Sequence, residues 1–228
     1  MLIDKIKSSS TSLLGKNVSF LNPYSYLLQR QSTDIKGIDV FLVDGVFLVW
    51  MLRLMGVGRF ERISFDMTSL APIIFNGAIK DNNSIYFVGS KKNEITRAVE
   101  EIKKEFPKLN IIRFRDGYFT DTERESEIDL LVDIKPDIVV AGLGTPLQEK
   151  FLMDLRSQGW KGTGFTCGGF LHQTAGGIQY YPDWMDKLNL RWLYRIYDEP
   201  KLFRRYSIDY TKFIFLFVFD VLKIKFKR

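Results

Sequence analysis

Short apolar runs alternate with longer stretches of helical period along most of the chain. The runs Val18–Leu21, Ile38–Val43, Ile85–Val88, Leu109–Phe114, Asp137–Gly142 and Gly162–Thr166 have strand length and read as strands. Between them, Pro23–Arg30, Gly45–Leu54, Asp66–Ile79, Glu94–Phe106, Glu123–Leu131 and Pro146–Gln158 read as helices. The helix from Gly45 is apolar all round and is expected to be largely buried. Asp66 or Thr68 is the expected N-cap of the next one. This rhythm predicts an α/β fold: a doubly wound, Rossmann-like parallel sheet with helices on its faces. Ligands in such sheets bind beyond the carboxyl ends of the strands. The turns to inspect are therefore Asn22, Asp44-Gly45, Gly89-Ser90, Asp116-Gly117, Gly142 to Gln148 and Cys167-Gly168-Gly169.

After Gly177 the pattern changes. Tyr180 to Arg195 is dense in aromatic residues, and Asp198-Glu199-Pro200 reads as a boundary. We expect a catalytic-type domain over residues 1–195 and an appendage over residues 196–228. The appendage holds the apolar run Phe213–Phe219 between basic ends. Seven apolar residues cannot span a bilayer, but an aromatic helix flanked by Lys and Arg can lie in its interface.

Charge sharpens that division. The chain of 228 residues carries a formal charge of +6. From Lys201 onward there are eight basic residues against Asp209 and Asp220, so the tail carries the whole excess. A basic tail on a neutral body points to an anionic partner for the tail, and it argues against nucleic-acid binding by the whole surface. The N-terminus lacks the apolar core of a signal peptide. Val40–Val57, broken by Asp44 and Arg53, is too short for a comfortable membrane span. A single cysteine (Cys167) excludes a disulfide framework, and a single histidine (His172) excludes a histidine-rich zinc site.

Three local patterns could carry chemistry. In Ala141–Phe151, AGLGTPLQEKF, Gly142 and Gly144 follow a strand and permit close approach of a ligand to the backbone. Pro146 suits the first helical position, and free N–H groups at that helix start suit a phosphate. Gln148 and Glu149 would sit in the first turn, toward the same crevice. An ordinary strand–helix turn is the alternative; Leu147 stands where a dinucleotide fingerprint has its third glycine. Asp44 ends a very apolar strand, where desolvation would favour a general base; an N-cap aspartate is the alternative. Arg62 could stabilise a diphosphate leaving group, or be a solvated charge beside Glu61. No Asp-x-Asp occurs anywhere, so charge neutralisation would fall to Arg, Lys and helix N-termini, with no metal.

Taken together, these stretches resemble the WecG/TagA/CpsF glycosyltransferases (glycosyltransferase family 26). The likeness runs through an early Asn-Pro segment, Asp44-Gly45, Glu61-Arg62, Gly117-Tyr118-Phe119, and Gly142-Leu143-Gly144-x-Pro146-x-Gln148-Glu149. It ends in Trp192-Leu193-Tyr194-Arg195, Glu199-Pro200 and Arg205-Tyr206. The resemblance implies a Rossmann-like catalytic domain of the GT-E type with a helical, membrane-binding C-terminal appendage. It implies an inverting, metal-independent hexosyltransferase with no cofactor, peripheral on the cytoplasmic face of the bacterial inner membrane. The donor would be a UDP-sugar and the acceptor a polyprenyl-diphosphate-linked sugar of capsule, exopolysaccharide or cell-wall polymer synthesis. A homo-oligomer is compatible with this reading.

By position, the resemblance makes Asp44 the catalytic base, with Arg62 near the phosphates and Gln148 in the active-site crevice. It assigns Asn22, Gly142, Gly144, Thr145 and Glu149 to donor and phosphate binding. Arg195, Arg204 and Arg205 fall where the lipid diphosphate would be met. One departure stands out: some members carry a threonine two residues before the asparagine, where this chain has Phe20. Tyr24 or Ser25 could supply that hydroxyl instead. A non-catalytic membrane-bound scaffold or sugar-nucleotide sensor of the same fold is the alternative function.

Overall fold

A computed structural model of the chain describes residues 2–8, 10–32, 35–178, 185, 191–198 and 202–226. Tyr180, Tyr181, Trp184, Glu199 and Pro200, which the sequence singled out, lie outside the described residues. So does the side chain of Arg195.

Six strands form one wholly parallel sheet: β1 (Asn17–Leu21), β2 (Val40–Val43), β3 (Ser84–Gly89), β4 (Asn110–Arg115), β5 (Ile138–Gly142) and β6 (Thr163–Thr166). Their order across the sheet is β2-β1-β6-β5-β3-β4. Seven helices follow the strands: α1 (Pro23–Gln31), α2 (Val46–Leu54), α3 (Leu70–Asp81), α4 (Lys92–Glu105), α5 (Asp121–Ile134), α6 (Leu147–Ser157) and the short α7 (Phe170–Thr174). Side chains alternate across a strand, and the core divides accordingly. Val18, Phe20, Leu42, Phe87 and Val140 face a cluster built with α3, α4 and α7. On the other side, Leu21, Phe41 and Val43 pack with α1 and α2, while Tyr86, Val88 and Val139 pack with α5 and α6. Both faces are covered, as the near-continuous apolar strands require.

Two expectations need correction. The third helix begins at Leu70 with Ser69 as N-cap, four residues later than predicted. Pro72 has no N–H and is tolerated only in a first turn, so a helix from Asp66 could not have run through it. The Asp66 carboxylate instead closes a local turn, with Oδ1 accepting from Thr68 N at 2.9 Å and Thr68 Oγ1 at 2.7 Å. The apolar α2, expected to be largely buried, is so at Leu48, Val49, Met51 and Leu52, but Trp50 and Leu54 are exposed.

At the far edge, α5 is tied to the sheet by Glu127, buried beneath β3 and β4. It accepts from Tyr86 Oη at 2.8 Å, Arg113 Nε at 3.0 Å and Arg115 Nη1 at 3.0 Å. Burial alone would raise this carboxyl, but these donors hold it below the usual carboxylate range.

Beyond the sheet, α8 (Arg191–Asp198) precedes a continuous helical segment. It comprises α9 (Leu202–Arg204), a π-helical stretch (Arg205–Asp209) and α10 (Tyr210–Lys225). The tail helix α10 is seated on α1. Phe213 and Phe217 are fully buried, and both rings meet Tyr26 edge-on at 5.3 and 5.5 Å. One turn on, Asp220 takes Arg30 in a fork, Nε at 2.6 Å and Nη2 at 2.9 Å, and accepts from Tyr26 Oη at 2.8 Å. No described helix is long and apolar enough to cross a membrane.

The seat can be tested by truncation. Arg30→Ala leaves the buried Asp220 carboxylate with Tyr26 alone and should cost about 3 kcal/mol. Tyr26→Phe keeps the ring packing and should cost about 1 kcal/mol. Denaturant unfolding of both variants checks the order.

Candidate active site

The loops that leave β1, β2, β5 and β6 at their carboxyl ends surround a cleft of about 730 Å³. Chain direction explains its place. From β1 the chain steps outward to β2; it then crosses to β3 and β4 and returns through β5 to β6, beside β1. The loops after β1 and β2 therefore diverge from those after β5 and β6, which opens the crevice typical of a topological switch point.

Asp44 stands at the end of β2, its N–H bound to Leu21 O at 2.8 Å. Gly45, not Asp44, is the N-cap of α2, and no side chain caps that helix. The capping alternative for Asp44 thus falls away. Gly45 has φ 154°, and a Cβ there would meet Asn22 Cβ at 3.4 Å. The Asp44 side chain is 36 % exposed on the cleft, its Oδ1 3.6 Å from Arg62 Nη2. It faces the Arg62 guanidinium across the cleft and is partly exposed there.

Arg62 is no solvated surface charge. Its side chain is 25 % exposed and lines the cleft, with Nη2 donating to Ser64 Oγ at 2.8 Å and Asp66 Oδ2 at 3.3 Å. Asn22 caps α1: its Oδ1 accepts from Ser25 N at 2.9 Å, and Ser25 Oγ accepts from Asn22 N at 2.9 Å. That box commits the Ser25 hydroxyl, while the Tyr24 ring lies under the Arg205 guanidinium, 3.8 Å from its centre. Phe20 itself lines the cleft.

The β5–α6 turn contributes differently from its sequence reading. Pro146 is the N-cap of α6, which starts at Leu147, one residue later than the sequence reading placed it. Gly144, Thr145 and Gln148 line the cleft. Glu149 does not: it is 2 % exposed, its Oε1 accepting from Ser19 Oγ at 2.8 Å, Thr145 Oγ1 at 3.2 Å and Gln148 Nε2 at 3.2 Å. Among the described residues its Oε2 has no partner. Gln148 completes the net, since its Oε1 accepts from Gly168 N at 3.2 Å and so bridges the β5 and β6 loops. Gly142 lies behind the cleft wall, where a Cβ would meet Cys167 Sγ at 2.9 Å. The Cys167 thiol is buried, and burial pushes its pKa up. His172 turns to α4, with Nδ1 3.1 Å from Glu94 Oε1, so no Cys-His pair forms.

The tail closes one side. Arg205, Tyr206 and Tyr210 line the cleft, and Tyr210 stacks on Phe47 of α2 at 5.6 Å. Arg204 is exposed and does not line it. Sequence reading missed Ser64, Trp50 and Tyr210, and it treated Asp66 only as a cap. The alternation Arg62-x-Ser64-x-Asp66 was the available signal for the first and last. Among the described residues no group of three or more His, Cys, Asp or Glu is placed to hold a metal.

Comparison with known proteins adds chemistry to this geometry. The sequence model of the Glycosyl transferase WecG/TagA/CpsF family matches residues 2–227. The UDP-Gal:alpha-D-GlcNAc-diphosphoundecaprenol beta-1,4-galactosyltransferase of Shigella boydii is 37% identical over 211 residues, 92% of this chain and 89% of its own. The N-acetylglucosaminyldiphosphoundecaprenol N-acetyl-beta-D-mannosaminyltransferase of Bacillus subtilis (strain 168) is 30% identical over 197 residues, 84% of this chain and 75% of its own. The enzyme of that name from Bacillus spizizenii is 29% identical over 178 residues, 77% of this chain and 67% of its own.

The buried net predicts a stability cost. Glu149→Ala takes the acceptor from two buried donors, Ser19 and Gln148, and from the half-buried Thr145; it should lose about 3 kcal/mol in denaturant unfolding, while Glu149→Gln, which keeps an acceptor oxygen, should lose less.

Proposed function

The chain belongs to the WecG/TagA/CpsF glycosyltransferase family, and on that premise we propose that it moves a hexose or N-acetylhexosamine-type sugar from a UDP-sugar to an undecaprenyl-diphosphate-linked sugar. The observation that carries the reading is the meeting of Asp44 and Arg62 across one cleft at the carboxyl edge of the sheet. Asp44 is the base: its carboxylate takes the proton of the acceptor hydroxyl as that oxygen attacks the anomeric carbon. The bond from that carbon to the diphosphate breaks on the opposite side, so the anomeric configuration inverts and UDP leaves. Arg62 meets the charge that develops on the departing diphosphate. The uncapped start of α2, where Gly45, Val46 and Phe47 line the cleft, adds a positive helix end nearby. With these charges supplied by the chain, transfer needs no divalent metal.

The tail serves the lipid-linked acceptor. Arg205 sits at the cleft, where it meets the acceptor diphosphate, and the outer face of α10 exposes Phe215, Phe219 and Leu222 alongside Lys212 and Lys223. That surface suits the anionic cytoplasmic face of a bacterial membrane, with each basic residue near the surface worth about 1 kcal/mol.

Two tests follow. UDP release from a panel of UDP-sugars, with polyprenyl-diphosphate-sugar acceptors and EDTA present, should show acceptor-dependent turnover with one donor. Asp44→Asn should cut that turnover by about 10²- to 10⁴-fold while leaving UDP binding nearly intact; unchanged turnover removes Asp44 as the base. Separately, Phe215→Ser/Phe219→Ser should weaken sedimentation with anionic vesicles without lowering the melting temperature. Equal sedimentation would refute the tail's role.

A further inference from the structure

Arg62 is anchored by residues that the proposed chemistry does not use. Its Nη2 donates to Ser64 Oγ at 2.8 Å and to Asp66 Oδ2 at 3.3 Å, both closer than Asp44 Oδ1 at 3.6 Å. Ser64 is buried, and its hydroxyl is fixed from both sides: it accepts from Arg62 and donates to Asp66 Oδ2 at 2.5 Å. The other Asp66 oxygen is held by Thr68 N and Oγ1. The segment itself is pinned to the sheet, with Ile63 N bound to Val43 O at 2.8 Å and Leu70 N to Ser64 O at 3.1 Å. Every link from Thr68 to the guanidinium is therefore made, while Nε and Nη1 of Arg62 take no partner among the described residues.

We propose that Asp66, acting with Ser64, is a positioning residue that holds Arg62 ready for the donor diphosphate independently of Asp44. The inference rests on the transferase reading above. An arginine anchored by the base alone would have to choose between that base and the diphosphate. A close bidentate pair would also stabilise Asp44 as a carboxylate and make it a poorer proton acceptor. A second carboxylate removes the conflict. Asp66 and Ser64 hold one guanidinium nitrogen, so a long side chain with much rotamer freedom is ordered before substrate arrives. The N–H groups of Nε and Nη1 are left to donate singly to phosphate oxygens. Asp66 also places a negative charge near the diphosphate, which is tolerable only while Arg62 stands between them.

That last point gives the test its sign. Calorimetric UDP affinity and donor kinetics would be measured for wild type, Arg62→Ala, Asp66→Ala and the double variant, with Asp66→Asn and Ser64→Ala as milder changes and thermal melting as a folding control. Asp66→Ala should weaken UDP binding about tenfold in the wild-type background. With Arg62 already removed, the same change should have no effect or tighten binding, because only repulsion remains. Asp66→Asn and Ser64→Ala should fall between, each acting only when Arg62 is present. Equal losses in both backgrounds would reduce Asp66 to a purely structural loop residue and overturn the proposal, as would full UDP affinity in Asp66→Ala. A folded wild type that binds no UDP overturns the donor reading first, and the proposal with it.

Discussion

All six strands run the same way, and the rest of the structure depends on that constraint. A parallel sheet gathers every carboxyl end on one edge, and a reversal of winding beside β1 parts the loops there into a cleft. Asp44 and Asn22 come from one side of the parting, Gly144, Thr145 and Gln148 from the other. No long-range search is needed to bring them together, because register fixes them: Leu21 pairs with Val43, and Ala141 with Thr166. Much of the cleft's lining is thus mounted just beyond strand ends.

Rigidity across the parting comes from the buried polar net. Glu149 gathers Ser19 from β1 and Thr145 and Gln148 from the β5–α6 turn, and Gln148 reaches on to Gly168 after β6. Thr166 Oγ1 adds a contact to Ser19 at 3.2 Å. A carboxylate with only neutral donors is a costly thing to bury, and a net of this kind specifies one arrangement of the loops. The stretch Gly144-x-Pro146-x-Gln148-Glu149 then divides its work: Gln148 lines the cleft, and Glu149 holds the scaffold that Gln148 is fixed to.

Much of this was legible in the chain. Strand and helix positions followed from apolar period, and Asp44, Arg62, Asn22 and Gln148 were singled out before any geometry was known. What was not legible depended on contacts between distant segments. Glu149 looked like a phosphate-facing residue because its place in a first turn says nothing about which way that turn faces; Ser19, 130 residues away, decides it. Asp66 looked like a helix cap because Asp before a helix usually is one, and Pro72 set the true start. Trp50 and Leu54 looked buried because hydrophobicity all round a helix carries no direction. The tail read as an appendage, since its fit to Tyr26 and Arg30 joins residues some 190 positions apart.

That fit couples two properties of the tail. Asp220 spends its charge inside the protein, on Arg30, so the outer surface of α10 is more basic than its composition suggests. The face that buries Phe213 and Phe217 fixes the helix's rotation about its axis, and with it the outward face that carries Phe215, Phe219, Lys212 and Lys223. The same rotation fixes Tyr210 against Phe47 and, through the π-helical stretch, Arg205 over Tyr24. A change in how α10 sits on α1 would therefore shift the cleft wall and the exposed apolar surface together. On the proposed function, an enzyme whose acceptor is held in a membrane gains from that linkage: the surface that would meet the lipid and the wall that would meet the acceptor are two sides of one helical segment, set by one buried seat on α1.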